Sequence, residues 1–340
     1  MEFNYADRVL KPGYTSCMGC GEALAMRLVA QACGNKCIFT NATGCSEIFT
    51  SRYPTSSWNA PWIHSLFENS AAVASGVYYA LKHKAKTVPV TSDVAEFLAA
   101  AGSVLDIMEV SVVAMGGDGG TADIGLQCLS GAMERGDDIL YVCWDNEAYM
   151  NTGVQRSGLT PLDADTTTSP SGRVSFGNDR PKKDLPMIMA AHNIPYVGVG
   201  SCGYFREIGP MVKRAMAIRG PKFLQVHVTC PLGWKTDAAK SIDMARMAFE
   251  CGLYPLYEII RGEMKPHRAP KEWIPVETYL KPQGRFRHLF RRADETTALQ
   301  LVRVQAVAAA NIRKFYGDAA MPQFAKDAEA KIAEAAKAAV

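Results

Sequence analysis

The strongest constraint on the fold is a glycine-rich turn between two apolar segments that flank a helical pattern. The apolar run 110–115 leads into Gly116-Gly117-Asp118-Gly119-Gly120, residues 121–135 have a helical pattern, and the run 139–144 ends in Asp145-Asn146. This order predicts strand, turn, helix and strand, as in the βαβ units of a parallel sheet. Both polar ends then fall at the carboxyl edge of the sheet, where α/β folds bind ligands.

The residues at this edge suit a diphosphate that is bound through a divalent cation. Gly117 and Gly119 let the backbone approach a diphosphate closely, whereas Asp118 would repel the diphosphate unless a cation lay between them. The Asp118 carboxylate and the Asn146 amide oxygen are hard ligands of the kind that Mg²⁺ prefers. Their spacing resembles the motif that binds thiamine diphosphate (TPP) and its metal.

Two other interpretations of this turn remain open. Gly117 and Gly119, followed by Ala122, also fit a degenerate dinucleotide-binding fingerprint, in which Asp145 would contact a ribose. The acid between the two glycines is awkward for a diphosphate site without a metal, so we favour TPP. An ordinary tight turn without a ligand is the third interpretation.

Composition excludes several classes of protein. The chain has 340 residues, of which 48% are hydrophobic and 21% charged, so it has ample material for a globular core. The net charge is +3 and no basic cluster with interleaved aromatic residues occurs, which argues against binding to nucleic acid. Residues 1–14 lack the apolar segment of a signal peptide, and no apolar run is long enough to span a membrane. We therefore expect a cytoplasmic protein without membrane contact.

Four of the ten cysteines have neighbours that suggest metal binding. Cys17 and Cys20 form a C-x-x-C pair with a glycine beside it, at the start of a predicted helix that runs to residue 32. Cys45 follows a glycine, and Cys230 follows a predicted strand and precedes a proline that stiffens its loop. In a reducing compartment, metal binding explains such cysteines better than disulfides do.

The identity of the bound group stays open on spacing alone. Four thiolates can hold zinc or a [4Fe–4S] cluster, but one pair with two distant single cysteines suits a cluster better than zinc. Cys33 and Cys37 are a rival second pair, which we interpret as structural because one ends a helix and the other begins a strand. The remaining cysteines in apolar stretches are interpreted as small core residues: Cys128, Cys143 and Cys202.

These features together resemble one family, the TPP-binding β subunit of the 2-oxoacid:ferredoxin oxidoreductases, of the pyruvate synthase or phenylglyoxylate dehydrogenase type. The resemblance covers about residues 8 to 290. Besides the glycine turn and the C-x-x-C pair, it rests on motifs that occur in the same order: Ala42-Thr43-Gly44-Cys45, Pro61-Trp62-Ile63-His64, Phe67-Glu68-Asn69, the segments 149–158 and 166–170, Cys230-Pro231-Leu232-Gly233-Trp234, and the segment 280–286.

The resemblance implies a fold and a set of site residues. The fold would be α/β, a doubly wound and mostly parallel sheet with helices on both faces. The implied [4Fe–4S] ligands are Cys17, Cys20, Cys45 and Cys230. The implied Mg²⁺ ligands are Asp118, Asn146 and the backbone carbonyl of Ala148. Residues implied to lie against the cofactor are Glu22, Gly44, Gly117 and Gly119, and the one implied to project toward the reacting carbon is Asn151.

The resemblance also implies a reaction and partners. A 2-oxoacid, either pyruvate or an aryl oxoacid such as phenylglyoxylate, would be oxidatively decarboxylated to acyl-CoA and CO₂, with electrons passed to iron–sulfur clusters. The other subunits would be of α type, γ type and ferredoxin-like type, and another subunit would supply the glutamate that activates TPP and most oxoacid contacts. Residues 50–59 depart from the commonest pattern of the pyruvate enzymes, which leaves the oxoacid open.

Two alternative functions remain at this point. A non-redox TPP-dependent decarboxylase or carboligase subunit would have incidental or zinc-binding cysteines. An electron-carrying subunit without TPP would keep the cluster alone, although the paired Asp118 and Asn146 argue against it.

The sequence predicts three parts along the chain. Residues 1–265 would form the α/β domain that binds TPP and the cluster, residues 266–292 an extended arm, and residues 293–340 an alanine-rich helical tail. The long polar stretch 153–186 predicts a loop that covers the cofactor or docks a partner. Further predicted helices span residues 68–82, 93–108, 204–219 and 239–251.

Overall fold

A computed structural model describes residues 8–86, 109–291 and 294–338. The helix predicted over residues 93–108 lies outside these ranges. The strands are β1 (Cys37–Ala42), β2 (Trp62–Ser65), β3 (Ser111–Gly117), β4 (Ile139–Asp145), β5 (Tyr196–Ser201), β6 (Lys222–His227), β7 (Tyr257–Ile260) and β8 (Glu263–Pro266). The helices are α1 (Gly21–Cys33), α2 (Cys45–Thr50), α3 (Ser70–Lys86), α4 (Leu126–Glu134), α5 (Leu185–Ala190), α6 (Phe205–Met216), α7 (Pro231–Trp234), α8 (Ser241–Glu250), α9 (Val276–Leu280), α10 (His288–Arg291), α11 (Glu295–Tyr316) and α12 (Gln323–Ala338).

The described strands form one sheet in the order β2-β1-β3-β4-β6-β5-β7-β8. The first six strands of this order pair in parallel, and β7 and β8 add an antiparallel edge. After β1 the chain builds outward to β2 and then returns to place β3 on the other side of β1. This reversal leaves a crevice at the carboxyl ends of β1 and β3, where open α/β sheets bind ligands.

Apolar side chains cover both faces of the sheet. All seven residues of β4 are buried, and they alternate between two cores because successive side chains of a strand point to opposite faces. Tyr141 and Cys143 belong to one core, whereas Val142 and Trp144 belong to the other, which α1 and α6 cover. The predicted mostly parallel α/β sheet is confirmed, and the continuous apolar runs in the sequence reflect strands buried on both faces.

The helix expected over residues 121–135 is divided. A π-helical turn occupies Gly120–Ile124, and α4 begins after Gly125. The amide of Gly125 donates to the carbonyl of Gly120 over 2.8 Å, a spacing of five residues. Such π turns often mark functional positions, and this one follows directly on the glycine turn.

The carboxyl-terminal part of the chain packs against the sheet domain. The segment 266–292 contains α9 and α10, and its buried side chains join the core on one face of the sheet. Helix α11 adds Val304 and Ala308 to the same core. Helix α12 packs on α11 through a smaller cluster that includes Ala309, Ile312 and Ala325. The proposed three-part division of the chain stays a prediction.

Candidate cofactor-binding site

The predicted cofactor residues line one cleft at the carboxyl edge of the sheet. Segments that follow β1, β3 and β4 meet there, together with the first turn of α1. The lining includes Glu22, Gly44, Cys45, Gly117, Asp118, Gly119, Asn146, Ala148 and Asn151. The sequence-predicted Mg²⁺, diphosphate and catalytic residues are therefore neighbours in space, although residues 22 and 151 are far apart in the chain. The enclosed space in this chain alone is about 30 Å³.

Asp118 is a buried carboxylate without a basic partner. It is 1% exposed and accepts a hydrogen bond from the Ser157 hydroxyl. No ion pair to Asp118 occurs among the described residues. Burial, and then repulsion from Asp145, raises the pKa of Asp118 well above its ordinary range. A divalent cation would supply the missing positive charge, so the donor fits Mg²⁺.

Asn146 has one satisfied end and one free end. Its Nδ2 donates to Glu22 Oε2 over 3.2 Å, which fixes the orientation of the amide. Its Oδ1 is buried and has no hydrogen-bond partner. An orphaned buried carbonyl oxygen beside Asp118 is a donor that a metal ion would satisfy. Burial raises the pKa of Glu22 to about 7, against the lowering effect of hydrogen bonds from Asn146 and Ser46.

In the glycine turn, Gly119 lies in close contact with Tyr149. A Cβ on Gly119 would lie 2.3 Å from the ring of Tyr149, whose hydroxyl donates to the Gly119 carbonyl over 2.9 Å. A Cβ on Gly117 or Gly44 would meet nothing within 4 Å, so both backbones face open space in the cleft. This space is where the sequence predicts a diphosphate.

The four predicted cluster ligands gather beside this cleft. Cys20 caps the amino end of α1, where its sulfur accepts from the Ala23 amide at 3.4 Å. Cys230 caps α7 in the same way, through the Gly233 amide at 3.4 Å. Cys45 is the first residue of α2, and Cys17 is exposed. N–H···S hydrogen bonds and helix amino termini both favour a thiolate.

Electrostatics indicates that the four thiols share one neighbourhood. Burial raises the pKa of Cys20 to about 12, with a further contribution from Glu22 and then Cys230. The pKa of Cys230 rises to about 11, again mainly by burial. Burial also raises the pKa of Cys45, followed by repulsion from Glu22 and from the other three cysteines. Burial thus favours the neutral thiols of Cys20, Cys45 and Cys230, whereas binding to a metal would favour their thiolates.

Four thiols can hold either a single zinc ion or an iron–sulfur cluster. Among the described residues, no group of three or more histidine, cysteine, aspartate or glutamate side chains could hold one metal ion. A zinc site needs four ligands that converge on one centre, whereas the thiolates of a [4Fe–4S] cluster bind four separate irons. On spacing in the sequence, one close pair with two single cysteines suits a cluster better than zinc. All ten cysteines are free thiols.

The sequence analysis missed a buried network of charges behind residues 146–148, the segment after β4 that is called the metal loop below. Lys182 Nζ lies 3.0 Å from Asp145 Oδ2 and 2.8 Å from Glu147 Oε1. Arg285 Nη2 lies 2.5 Å from Glu147 Oε2, and Glu147 and Arg285 are 4% and 3% exposed. Two anions and two cations thus balance inside the fold. The one signal in the sequence was Arg285, which lies in a motif of the resemblance but had received no role.

A larger cavity lies on the other side of this network. Its volume is about 240 Å³, and its walls are mainly apolar side chains from the sheet, α9 and α11. It includes Glu147 and Lys182 but none of the predicted cofactor ligands. We place the chemistry in the smaller cleft, because the orphaned metal donors lie there.

Comparison with known proteins agrees with the geometry of the cleft. Residues 42–226 match the family model described as thiamine pyrophosphate enzyme, C-terminal TPP binding domain. The chain is 50% identical over 278 residues to pyruvate synthase subunit PorB of Methanocaldococcus jannaschii, covering 82% of this chain and 89% of that one. It is 40% identical to pyruvate synthase subunit PorB of Thermotoga maritima, over 86% and 87% of the two chains.

Relatives with another named substrate are also similar. Ketoisovalerate oxidoreductase subunit VorB of Pyrococcus furiosus is 41% identical, over 84% of this chain and 87% of that one. Among solved structures, 2-oxoglutarate:ferredoxin oxidoreductase from Magnetococcus marinus, with 2-oxoglutarate, coenzyme A and succinyl-CoA bound, aligns with a TM-score of 0.51 and 20% identity. That alignment covers 72% of this chain and 81% of the other. It supports the fold. No helix in the described ranges is long and apolar enough to cross a membrane.

Proposed function

Because this chain belongs to the TPP-binding β subunits of the 2-oxoacid:ferredoxin oxidoreductases, we propose that its cleft binds TPP through Mg²⁺. The proposed metal ligands are Asp118, Asn146 and the backbone carbonyl of Ala148. The observation that carries the proposal is the pairing of a buried, unbalanced carboxylate on Asp118 with an orphaned Oδ1 on Asn146. Gly44, Gly117 and Gly119 leave room for the diphosphate, and Glu22 orients Asn146.

The chain is one subunit of a CoA-acylating 2-oxoacid oxidoreductase. The enzyme oxidatively decarboxylates a 2-oxoacid to acyl-CoA and CO₂ and passes the electrons to iron–sulfur centres. When bound, TPP supplies the electron sink for loss of CO₂. The residues of this chain hold the diphosphate and orient the cofactor at the open side of the cleft. Asn151 lies on the rim of the cleft, where its amide is proposed to contact the reacting group.

We further propose that Cys17, Cys20, Cys45 and Cys230 hold a [4Fe–4S] cluster next to TPP. Support comes from the N–H···S hydrogen bonds to Cys20 and Cys230 and from the repulsion by Cys17, Cys20 and Cys230 that helps to raise the pKa of Cys45. These hydrogen bonds would stabilise the negative charge of the ligated sulfurs and tune the reduction potential. The alternative is a non-redox role for these four thiols, as incidental residues or zinc ligands, and it requires that the chain bind no iron.

Pyruvate is the proposed substrate. Relatives named as pyruvate synthase subunits reach 50% identity, whereas the ketoisovalerate relative is 41% identical. An aryl oxoacid such as phenylglyoxylate stays a competing substrate, because residues 50–59 differ from the usual pyruvate pattern. Turnover of pyruvate, 2-ketoisovalerate and phenylglyoxylate by the assembled enzyme decides the question by the ratio of their kcat/KM values.

The proposed partners are an α-type, a γ-type and a ferredoxin-like subunit, with coenzyme A as co-substrate. Apolar side chains next to the proposed cluster ligands are solvent-exposed in this chain: Met18 is 85% exposed, Ile48 49% and Leu232 72%. Exposed apolar residues grouped around a site indicate an interface. The free cysteines support the proposed cytoplasmic location.

The test of the metal site is Asp118→Asn in the enzyme purified anaerobically with its partner subunits. The variant should lose TPP affinity by at least about 100-fold, since even outer-shell metal partners contribute 10- to 100-fold. Its iron and sulfide content should stay at the wild-type value. Asp243→Asn, on the exposed face of α8, is the control. Unchanged TPP affinity in Asp118→Asn would overturn the metal assignment.

The test of the cluster is Cys230→Ser in the same preparation. Iron and acid-labile sulfide attributable to this chain should fall from about four each to near zero, and TPP should still bind. Zinc, or no metal, in the wild-type enzyme would support the non-redox alternative instead.

A further inference from the structure

One buried side chain connects the metal loop with the turn of residues 230–234, which is called the Cys230 turn below. Arg285 reaches both segments from the carboxyl-terminal part of the chain, more than fifty residues beyond Cys230. On one side its Nη2 pairs with Glu147 Oε2 at 2.5 Å. On the other side its guanidinium stacks on the Trp234 ring, with Cζ 4.1 Å from the ring centroid.

Each of these two contacts joins Arg285 to a residue that is next to, or hydrogen-bonded to, a proposed cofactor ligand. Glu147 lies between Asn146 and Ala148 and adopts a positive φ of 72°, which is unusual for a residue with a side chain. Surrounding contacts must hold such a conformation in place. The ion pairs from Arg285 and Lys182 to the Glu147 carboxylate do so. Together with the hydrogen bond from the Thr160 hydroxyl to the Glu147 carbonyl, they restrain the backbone that leads into Ala148.

Trp234 also contacts both the metal loop and the Cys230 turn. Its Nε1 donates to the backbone carbonyl of Asn146 over 2.9 Å. Its backbone amide donates to the Cys230 carbonyl over 2.9 Å, which closes the turn that carries the thiol. Trp234 is fully buried, and His227 stacks on it at 5.5 Å between ring centroids. A shift of this ring would move the Asn146 loop and the Cys230 turn together.

We propose that Arg285 is a positioning residue that fixes the metal loop relative to the Cys230 turn, and with it the electron-transfer step from the TPP site to the cluster. The inference rests on the proposed function. Electron transfer between two centres depends steeply on their separation, whereas decarboxylation depends on the TPP site alone. A residue that holds both ligand segments should therefore affect the first process more than the second.

The guanidinium is suited to this role for a chemical reason. It is planar, stacks on an aromatic ring, and pairs with a carboxylate through one nitrogen while another nitrogen remains available. Here Nε donates to Gln283 Oε1 over 2.8 Å, which locks the plane. A lysine would keep the positive charge near Glu147 but would lose both the stacking and the fixed plane. Arg285→Lys thus separates charge balance from positioning.

The experiment compares two rates in the assembled enzyme under anaerobic conditions. The first is the exchange of labelled CO₂ with the carboxyl group of pyruvate, which reports decarboxylation. The second is the bleaching of iron–sulfur absorbance after rapid mixing with pyruvate, which reports electron transfer. Arg285→Lys should slow the second rate by about 10- to 100-fold, the size of effect that small misplacements cause. Its exchange rate should change by less than about threefold.

Binding and spectroscopic measurements accompany these rates. The TPP dissociation constant and the iron content should stay close to wild type, while the electron paramagnetic resonance signal of the reduced cluster changes shape. Trp234→Phe, which removes the hydrogen bond to Asn146 but keeps a ring, should give the same pattern. The double variant should be slower than either single variant by much less than the product of their effects. Arg287→Lys, on the exposed side of the same segment, is the matched control.

Three outcomes would overturn the proposal. Equal loss of both rates with full cofactor content would show that Arg285 does not act between the sites. Loss of iron or TPP in both Arg285→Lys and Trp234→Phe would make them structural residues. Wild-type rates in Arg285→Lys would show that charge alone matters. Absence of iron or TPP from the wild-type enzyme would instead contradict the proposed function itself.

Discussion

At the residue scale, the glycine turn is sensitive to a single methyl group. In Gly119→Ala the new Cβ would collide with the Tyr149 ring, and the ring and the turn would have to separate. The hydrogen bond from the Tyr149 hydroxyl to the Gly119 carbonyl would be lost. We expect TPP affinity to fall by about tenfold, the value of about one hydrogen bond, as measured by titration of the assembled enzyme.

The control for this change is Gly76→Ala on the exposed side of α3, where a Cβ meets nothing within 4 Å. Alanine in a helix is favoured over glycine, so this variant should be slightly more stable and should bind TPP normally. Normal TPP affinity in Gly119→Ala would show that the turn can rearrange freely and that its glycine is dispensable.

Asp163 gives a prediction for the pH dependence of stability. It is buried, its Oδ2 has no hydrogen-bond partner, and burial raises its pKa to about 6 despite the lowering effect of Arg303. Its charged form therefore destabilises the fold, and this cost appears as the pH rises from about 4, where the unfolded group titrates, to about 6. Asp163→Asn should remove the cost, and asparagine also tolerates the φ of 62° at this position.

The expected gain for Asp163→Asn is about 1–2 kcal/mol above pH 6, because a two-unit pKa shift sets an upper limit of about 3 kcal/mol. Below about pH 4 the variant and the wild type should be equally stable. Urea unfolding at pH 4 and pH 7.5 measures the difference, with Asp243→Asn as an exposed control that changes little at either pH. A gain that is independent of pH would contradict this account of Asp163.

Sequence reasoning at this scale was limited by distance along the chain. Asp118 and Asn146 could be predicted because glycine and strand patterns place both at one sheet edge. The partner of Glu147, in contrast, is Arg285, which is 138 residues away. Nothing in local pattern or spacing connects two such charges, so the network became visible only in three dimensions.

At the element scale, α1 and the strand β6 position the proposed cluster ligands against each other. The Gly21 amide donates to the Thr229 carbonyl over 3.0 Å, which places Cys20 next to the turn of Cys230. A Cβ on Gly21 would lie 2.5 Å from the Thr229 amide nitrogen. Backbone atoms cannot rotate away, so the helix itself would have to shift.

We therefore expect Gly21→Ala to lose most of the iron of this chain and also to bind TPP more weakly, because a shift of α1 moves Glu22, which orients Asn146. Iron and TPP analysis of the anaerobically purified complex measures both. Gly76→Ala serves again as the control, because it adds the same methyl group to a helix without a clash. Full iron content in Gly21→Ala would mean that the α1–β6 contact does not set the ligand geometry.

Most elements that border the site could be predicted, and the edge of the sheet could not. Strands β3 and β4 and helix α1 have long, uniform patterns, and their predicted limits are close to the observed ones. The antiparallel strands β7 and β8 have four residues each and mix charged with apolar side chains. Segments so short carry too little periodicity to identify a strand.

At the scale of the whole molecule, the helical tail contributes to the main core. Val304 and Ala308 of α11 pack in the same cluster as the sheet residues, and Ile312 packs against Gly252. Removal of residues 293–340 should therefore lower the unfolding temperature by about 5 °C or more, because apolar surface of the main core becomes exposed. Thermal unfolding of the purified chain measures the change.

Removal of residues 323–340 alone is the control for this truncation. It deletes only α12, which packs on the small cluster around Ile312, so its effect should be smaller. If the longer truncation left the unfolding temperature unchanged, residues 293–340 would be an independent appendage, as the three-part division of the chain would allow.

The proposed ligands come from segments that lie just beyond the ends of β1, β3, β4 and β6, together with the turn before α1. Inside the central strands, such as β4, the side chains are buried in one of two cores, so a substitution there must preserve volume and polarity. Beyond the strand ends that restriction is relaxed. Descendants of such a subunit can acquire a new oxoacid or a new electron acceptor by exchanging loop residues, while the sheet is inherited unchanged. Residues that determine the chemistry and residues that determine the architecture are thus only a few positions apart at the end of each strand.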